Sequence, residues 1–163
     1  TMVGGSDPAA CMTLHQRLIS GDGAVCENAE PDCGPMAAVP PPQFKGRYLA
    51  FSYFYDILTE FLPTTTPSVA DIRAAATQVC GSDAATVVAA HKGYEPKNQE
   101  FLRRACQDLT YITQLLGGYL GLDEHVPRIE LVKKVRGKEM AWALGATLRT
   151  IDYMAQLQAD ADD

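Results

Sequence analysis

Three groups of residues in this 163-residue chain have types and spacings that could do chemistry. The first surrounds Trp142, the single tryptophan, in the run 133–148, KKVRGKEMAWALGATL. On a helical wheel Met140, Leu144, Leu148, Ile151 and Ala155 share one face, an ordinary core stripe. Trp142, Gly145 and Ala146 lie on the opposite face. Glycine inside a helix costs about 1 kcal/mol relative to alanine, and it is usually kept where something approaches the backbone closely. Two readings stand: a helix packed on both sides, or a helix whose second face borders a ligand cleft. The second group is Ser52, Tyr53, Tyr55 and Asp56, where a short strand passes straight into a helix. In open α/β sheets ligands bind at the carboxyl ends of strands, so these four residues are cleft candidates; a surface tyrosine cluster is the alternative. The third group is the cysteines, Cys11, Cys26, Cys33, Cys80 and Cys106. No pair has CxxC spacing, and His15, His91 and His125 form no ligand cluster with them, so zinc is not expected. Cys26 and Cys33 bracket the polar loop ENAEPD, which could close as a disulfide hairpin. Cys80 and Cys106 each fall on a predicted helix, and a bond between them would staple the two. Five reduced core cysteines are the alternative. In an oxidising compartment an odd count leaves one thiol over, here Cys11, whose partner could lie on sequence beyond this chain.

The elements that must position these groups can be read from periodicity. A helix is predicted over 9–19, with Met12, Leu14 and Leu18 apolar, stopping before Gly21 and Gly23. Residues 22–45 are irregular and hold Pro40, Pro41 and Pro42, which suit neither a helix nor a sheet interior. A short strand is predicted over 47–52, RYLAFS. It feeds a helix with Phe54, Ile57, Leu58, Phe61 and Leu62 as its stripe, ended by Pro63, and with Tyr55, Asp56 and Thr59 facing away. Ser68 and Asp71 form a capping-box pattern ahead of a helix with Ile72, Ala76, Val79 and Cys80 on one face. A short helix follows over 83–91. A longer one covers 98–116, with Phe101, Ala105, Leu109, Ile112 and Leu116 on one face, Leu102 and Cys106 beside them, and Gly117 and Gly118 ending it. A strand over 128–135 leads to a tight turn at Gly137 and then to the Trp142 helix.

Composition bounds the function. The formal net charge is −6 and no basic patch stands out, which argues against a nucleic-acid partner, since phosphate binding needs clustered Lys and Arg. No apolar run in this chain is long enough to cross a bilayer. The length suits one domain. No signal peptide is visible and the first residue is Thr1, the pattern of a mature chain or of a piece of something longer. Gly4 and Gly5 lack the flanking pattern of a phosphate loop, and no Ser/His/Asp set can be assembled. The residues alone describe a secreted-type α/β domain with a candidate cleft, and nothing more specific.

Three segments together resemble one family: LAFSYFYDILTEF (49–61), ACQDLTYITQLLGGYLGL (105–122) and VKKVRGKEMAWALGATL (132–148). Their order and spacing are similar to the carboxyl-terminal region of the apyrase-like nucleoside phosphatases, the family of the Golgi guanosine diphosphatases and the ectonucleoside triphosphate diphosphohydrolases. The likeness runs from about residue 7 to 157, specific at the three segments and loose in the proline-rich connector. It implies disulfides between Cys26 and Cys33 and between Cys80 and Cys106, and an upstream partner for Cys11.

The resemblance further implies an α/β, actin-like (ribonuclease H-like) fold of two lobes with the nucleotide between them. Residues 1–163 would be the carboxyl-terminal part of such an enzyme, helix-rich with a few strands. Within it, 1–45 would be a disulfide-containing, Pro-rich connector, 46–158 the strand–helix lobe with its Trp-Ala-Leu-Gly helix, and 159–163 a frayed tail. The family's phosphate loops and catalytic glutamate match nothing here, so no catalytic residue is assigned and the chain is expected to be inactive alone. The nucleotide-binding positions implied are Ser52, Tyr53, Tyr55, Asp56 and Ala105. Tyr55 and Asp56 lie where cell-surface members hold a base-stacking tyrosine. Ala105 matches a second stacking tyrosine but has no ring, which fits the luminal diphosphatases that prefer GDP or UDP and carry a similar Phe-Ser-Tyr-X-Tyr-Asp run. Trp142 matches a tryptophan near the water shell of the metal, Mg or Ca, and is not a direct ligand. The implied reaction is metal-dependent hydrolysis of a nucleoside di- or triphosphate, with the upstream lobe of the same protein as partner. The place is the lumen of the secretory pathway, Golgi or endoplasmic reticulum, or outside the cell. The alternative is a disulfide-stapled binding module of the secretory pathway with no chemistry of its own.

Overall fold

The structure, a computed structural model, describes residues 7–20, 46–91, 99–139, 147, 149–151, 153 and 154. In chain order its elements are α1 (Pro8–Ser20), β1 (Tyr48–Ala50), α2 (Tyr53–Phe61), α3 (Val69–Cys80), α4 (Ala84–Ala90), α5 (Gln99–Thr113), a π-helical segment (Gln114–Tyr119), β2 (Ile129–Leu131), β3 (Lys134–Val135) and β4 (Lys138–Glu139). Helix α5 is the central post: α1, α2, α3 and α4 all pack against it. Its inner face carries Leu102, Ala105, Leu109 and Ile112, all at most 1% exposed, at the three- and four-residue steps that keep one helix face together. The core joins Ile57 and Leu58 of α2, Val69, Ile72 and Ala76 of α3, and Ala50, Ile129 and Leu131 of the strands.

Local chemistry fixes where the helices begin. Ser68 Oγ accepts from Asp71 N at 3.2 Å and Asp71 Oδ2 accepts from Ser68 N at 2.8 Å, the reciprocal capping box expected from the sequence. Asp83 caps α4 through Thr86 N at 2.8 Å. Cys80 and Cys106 are bonded, joining the last residue of α3 to the middle of α5 with Cα atoms 4.7 Å apart.

β1 and β2 pair in parallel, with Tyr48 opposite Ile129 and Ala50 opposite Leu131. The long crossover between them holds α2 to α5, as parallel pairing requires. Val132 N donates to Ala50 O at 3.0 Å and closes the pair at its carboxyl end.

Six expectations are corrected. The α1 face built on Leu14 and Leu18 is the outer one: both are 54% exposed, while His15 and Ile19 are buried, because α1 lies on α5 through the residues four apart that include Cys11. Tyr55 does not face away from the core but packs partly against it. Gly117 and Gly118 do not stop the long helix; it continues as the π segment, with Leu120 N donating to Leu115 O at 2.9 Å. A Cβ on Gly117 would stand 2.9 Å from Val69 Cγ1, so this glycine lets α3 approach closely. The strand predicted over 128–135 is two short strands, and after Gly137 the chain does not enter a helix at once. Arg136 (φ 52°) and Gly137 (φ 78°) form a turn with two left-handed residues, which folds β4 back on β3 with Lys134 opposite Glu139. Thr147, Arg149, Thr150, Ile151, Tyr153 and Met154 are helical, but Ile151, assigned to the core stripe, is 57% exposed.

Candidate functional site

The candidate site lies where β1 runs out and α2 begins. Ser52 is the hinge residue. Its φ of 53° and ψ of −125° put it in a region that residues with a side chain rarely enter. The same turn places Ser52 before the first turn of α2, where Asp56 N donates to its carbonyl at 2.9 Å. The Ser52 hydroxyl makes no capping bond to the helix and the residue is exposed. Strained backbone of this kind at a strand-to-helix junction is typical of functional sites.

Tyr53 is 39% exposed, and its ring meets that of Phe54 edge to face, with centroids 5.6 Å apart and 75° between planes. Its hydroxyl donates to Asp108 Oδ1 of α5 at 2.7 Å. Burial first, then the bond and the negative charge of Asp108, push the Tyr53 phenol well above its ordinary range, so it stays a neutral donor. Tyr55 is half-buried against the core, and Asp56 is exposed in the first turn of α2. A carboxylate there is favoured by the positive end of the helix dipole. Ser52, Tyr53, Tyr55 and Asp56 therefore share one helix start. Ala105 does not join them on the surface: it is fully buried on the inner face of α5.

Sequence reasoning missed Asp108 and His15. His15 is buried under α1, its Nδ1 2.9 Å from Thr110 Oγ1, and its ring stands edge-on to Tyr111 with centroids 5.9 Å apart. Thr110 Oγ1 also lies 2.8 Å from the Cys106 carbonyl and 3.0 Å from the Gln107 carbonyl of its own helix. Burial lowers the His15 pKa and the nearby Asp108 charge offsets part of that, so the ring is neutral near pH 7. The signal for His15 was its place on α1 four residues after Cys11; for Asp108, separated from Tyr53 by 55 residues, there was none.

Trp142, Gly145 and Ala146 lie outside the described residues, as do Cys26, Cys33, Met140, Leu144, Leu148 and Ala155. Among the described residues no group of three or more His, Cys, Asp or Glu side chains could hold a metal ion. These residues do not fit a metal centre of their own. Among the described residues no helix is long and apolar enough to cross a membrane. The junction exposes groups with ligand-binding chemistry: part of the Tyr53 ring for stacking, and the Asp56 carboxylate and Ser52 hydroxyl for hydrogen bonds.

Comparison with known proteins places this geometry in context. A family model described as the GDA1/CD39 (nucleoside phosphatase) family matches residues 1–160. The chain is similar to the human (Homo sapiens) ectonucleoside triphosphate diphosphohydrolase 8, at 28% identity over 162 residues, covering 99% of this chain and 30% of that protein. It is similar to ectonucleoside triphosphate diphosphohydrolase 5 of Mus musculus, at 32% over 120 residues, covering 70% of this chain and 25% of the relative. Ectonucleoside triphosphate diphosphohydrolase 6 of Rattus norvegicus matches at 31% over 116 residues, 70% of this chain and 23% of the relative. The chain thus spans less than a third of the length of these relatives.

Proposed function

Because the chain belongs to the GDA1/CD39 (nucleoside phosphatase) family, we propose that it acts as part of a nucleoside phosphatase that hydrolyses the terminal phosphoanhydride of a nucleoside di- or triphosphate, with GDP or UDP favoured. The observation that carries the reading is the match over residues 1–160 together with the Ser52–Asp56 junction at the carboxyl end of the parallel strands. In this reading the described residues form the base and ribose side of an actin-like, two-lobe cleft. The upstream lobe provides the phosphate side and the carboxylate that activates water.

The work of this chain is binding and orientation. Tyr53 and Tyr55 offer aromatic surface to the base, an interaction that tolerates different bases because every base has a π-face. The Asp56 carboxylate, exposed at the start of α2, accepts hydrogen bonds from ligand N–H or ribose hydroxyl groups, and the Ser52 hydroxyl can donate or accept. Ala105 lies beneath the surface and supports α5 rather than touching the ligand. The divalent cation, Mg or Ca, neutralises phosphate oxygens when bound; its ligands belong to other parts of the protein, and Trp142 would line its water shell. The Cys80–Cys106 bond fits an oxidising place, the secretory lumen or the cell exterior.

The test is phosphate release from GDP, UDP, ADP and ATP, with magnesium or calcium, by the longer protein that carries this segment and by the present chain alone. Turnover by the longer protein and none by the chain supports the proposal. No turnover by either on any of the four nucleotides would overturn it and favour a disulfide-stapled binding module.

A further inference from the structure

We propose that Asp108 is a positioning residue for the nucleotide, acting through Tyr53. The inference rests on the reading of Tyr53 as part of the nucleotide site, and goes beyond it to a residue on a different helix.

Tyr53 is the first residue of α2 and follows the strained turn at Ser52. A side chain at the first helical position has no preceding turn of the helix to lie against. Two contacts restrain the ring, one from the next residue of α2 and one from α5. The Phe54 ring meets it edge to face, and Asp108 takes its hydroxyl proton into a 2.7 Å bond. The acceptor is a carboxylate, so the bond is charge-assisted and stronger than one between neutral groups. Both ends of the tyrosine, Cα and Oη, are thereby held, which restricts its two side-chain torsions. A ring held this way loses little entropy when a base stacks on it.

Asp108 is itself well anchored. Its neighbours along α5 are Leu109, fully buried in the core, and Thr110, fully buried and bonded to His15. The Cys80–Cys106 bond fixes α5 two residues before Asp108. The path from core to ligand runs from α5 to Asp108 to the Tyr53 hydroxyl and so to its ring. A second consequence concerns specificity. With its hydroxyl engaged by Asp108, Tyr53 presents its ring rather than a free hydrogen-bonding group. It therefore contributes affinity without reading the base edge, and its loss should affect GDP and UDP alike.

The experiment is steady-state kinetics of the longer protein on GDP and on UDP with five forms: wild type, Asp108→Ala, Asp108→Asn, Tyr53→Phe and Tyr53→Ala. A Tyr53 ring that the bond no longer holds must be ordered by the ligand itself, which lowers affinity by up to about tenfold. Asp108→Ala and Tyr53→Phe should each raise KM by about that factor for both nucleotides, with kcat changing far less. Asp108→Asn keeps an acceptor oxygen and should recover most of the loss. The double variant Asp108→Ala/Tyr53→Phe should be no worse than either single one, since both remove the same bond. If Asp108→Ala fails to fold, Tyr53→Phe tests the same bond from its other end. A raised KM in Tyr53→Ala with normal KM in both Asp108→Ala and Tyr53→Phe would overturn the inference while leaving the nucleotide site at Tyr53. A normal KM in Tyr53→Ala would remove Tyr53 from the site, and the positioning role with it.

Discussion

The sulfur of Cys11 lies 3.8 Å from that of Cys106, which is bonded to Cys80. Three sulfurs therefore meet where α1, α3 and α5 converge, with Cys80 and Cys106 joined and Cys11 free. A disulfide needs about 2.05 Å between sulfurs and Cα atoms within reach. In the wild type Cys80 occupies Cys106, so non-reducing peptide mapping of this chain should give Cys80–Cys106 with Cys11 alkylated. In Cys80→Ala the freed Cys106 thiol faces Cys11, and under oxidising conditions the two should pair. Finding Cys11 and Cys106 both alkylated in that variant would contradict the geometry. Replacing both Cys80 and Cys106 by serine removes the staple altogether and should cost about 3 kcal/mol of stability by the chain-entropy estimate.

His15 makes stability depend on pH. Its pKa is lowered in the folded protein from an ordinary 6.5, so below 6.5 the unfolded chain binds a proton more readily than the folded one. Stability is then fully present above 6.5 and falls as the pH drops through the window between 6.5 and the lowered value. Asp108, which faces the ring from α5, reduces the effect without reversing it. Denaturant midpoints measured down this range should fall more steeply for the wild type than for His15→Gln. Equal slopes would show that the ring is not buried in neutral form.

Ser52 stores backbone strain that a glycine would not feel. With φ at 53° and ψ at −125°, Ser52→Gly should raise stability by about 1 kcal/mol, and Ser52→Val should lower it by more than that. The check is the pair of melting midpoints. If Ser52→Gly melts below the wild type, the turn is not strained as described. In the longer protein the glycine variant should lose nucleotide affinity despite its gain in stability, since the hydroxyl at the junction goes with it.

Local pattern made much of the fold legible. The α2 stripe of Ile57 and Leu58, the Ser68/Asp71 capping box and the α5 face of Ala105, Leu109 and Ile112 each follow from spacing within one element. What escaped depends on neighbours distant in sequence. Leu14 and Leu18 are more apolar than His15, yet α1 buries His15 because Thr110 of α5 meets its ring nitrogen. Gly117 and Gly118 look like a helix stop, but Gly117 is there to admit Val69 of α3. Arg136–Gly137 is not a common hairpin signal, so β4 looked like the start of a helix. At the site, the junction Ser52–Asp56 was visible as a strand meeting a helix. The bond from Tyr53 to Asp108 was not, since it spans 55 residues and two elements.

The most direct test of the central claim is photolabelling of the longer protein with an azido-substituted guanosine diphosphate, followed by mapping of the labelled peptides. The account predicts label in the peptide that holds Ser52, Tyr53, Tyr55 and Asp56, lost on competition with excess unmodified GDP. Competable label found only in peptides upstream of this segment, with none at the β1–α2 junction, would contradict it.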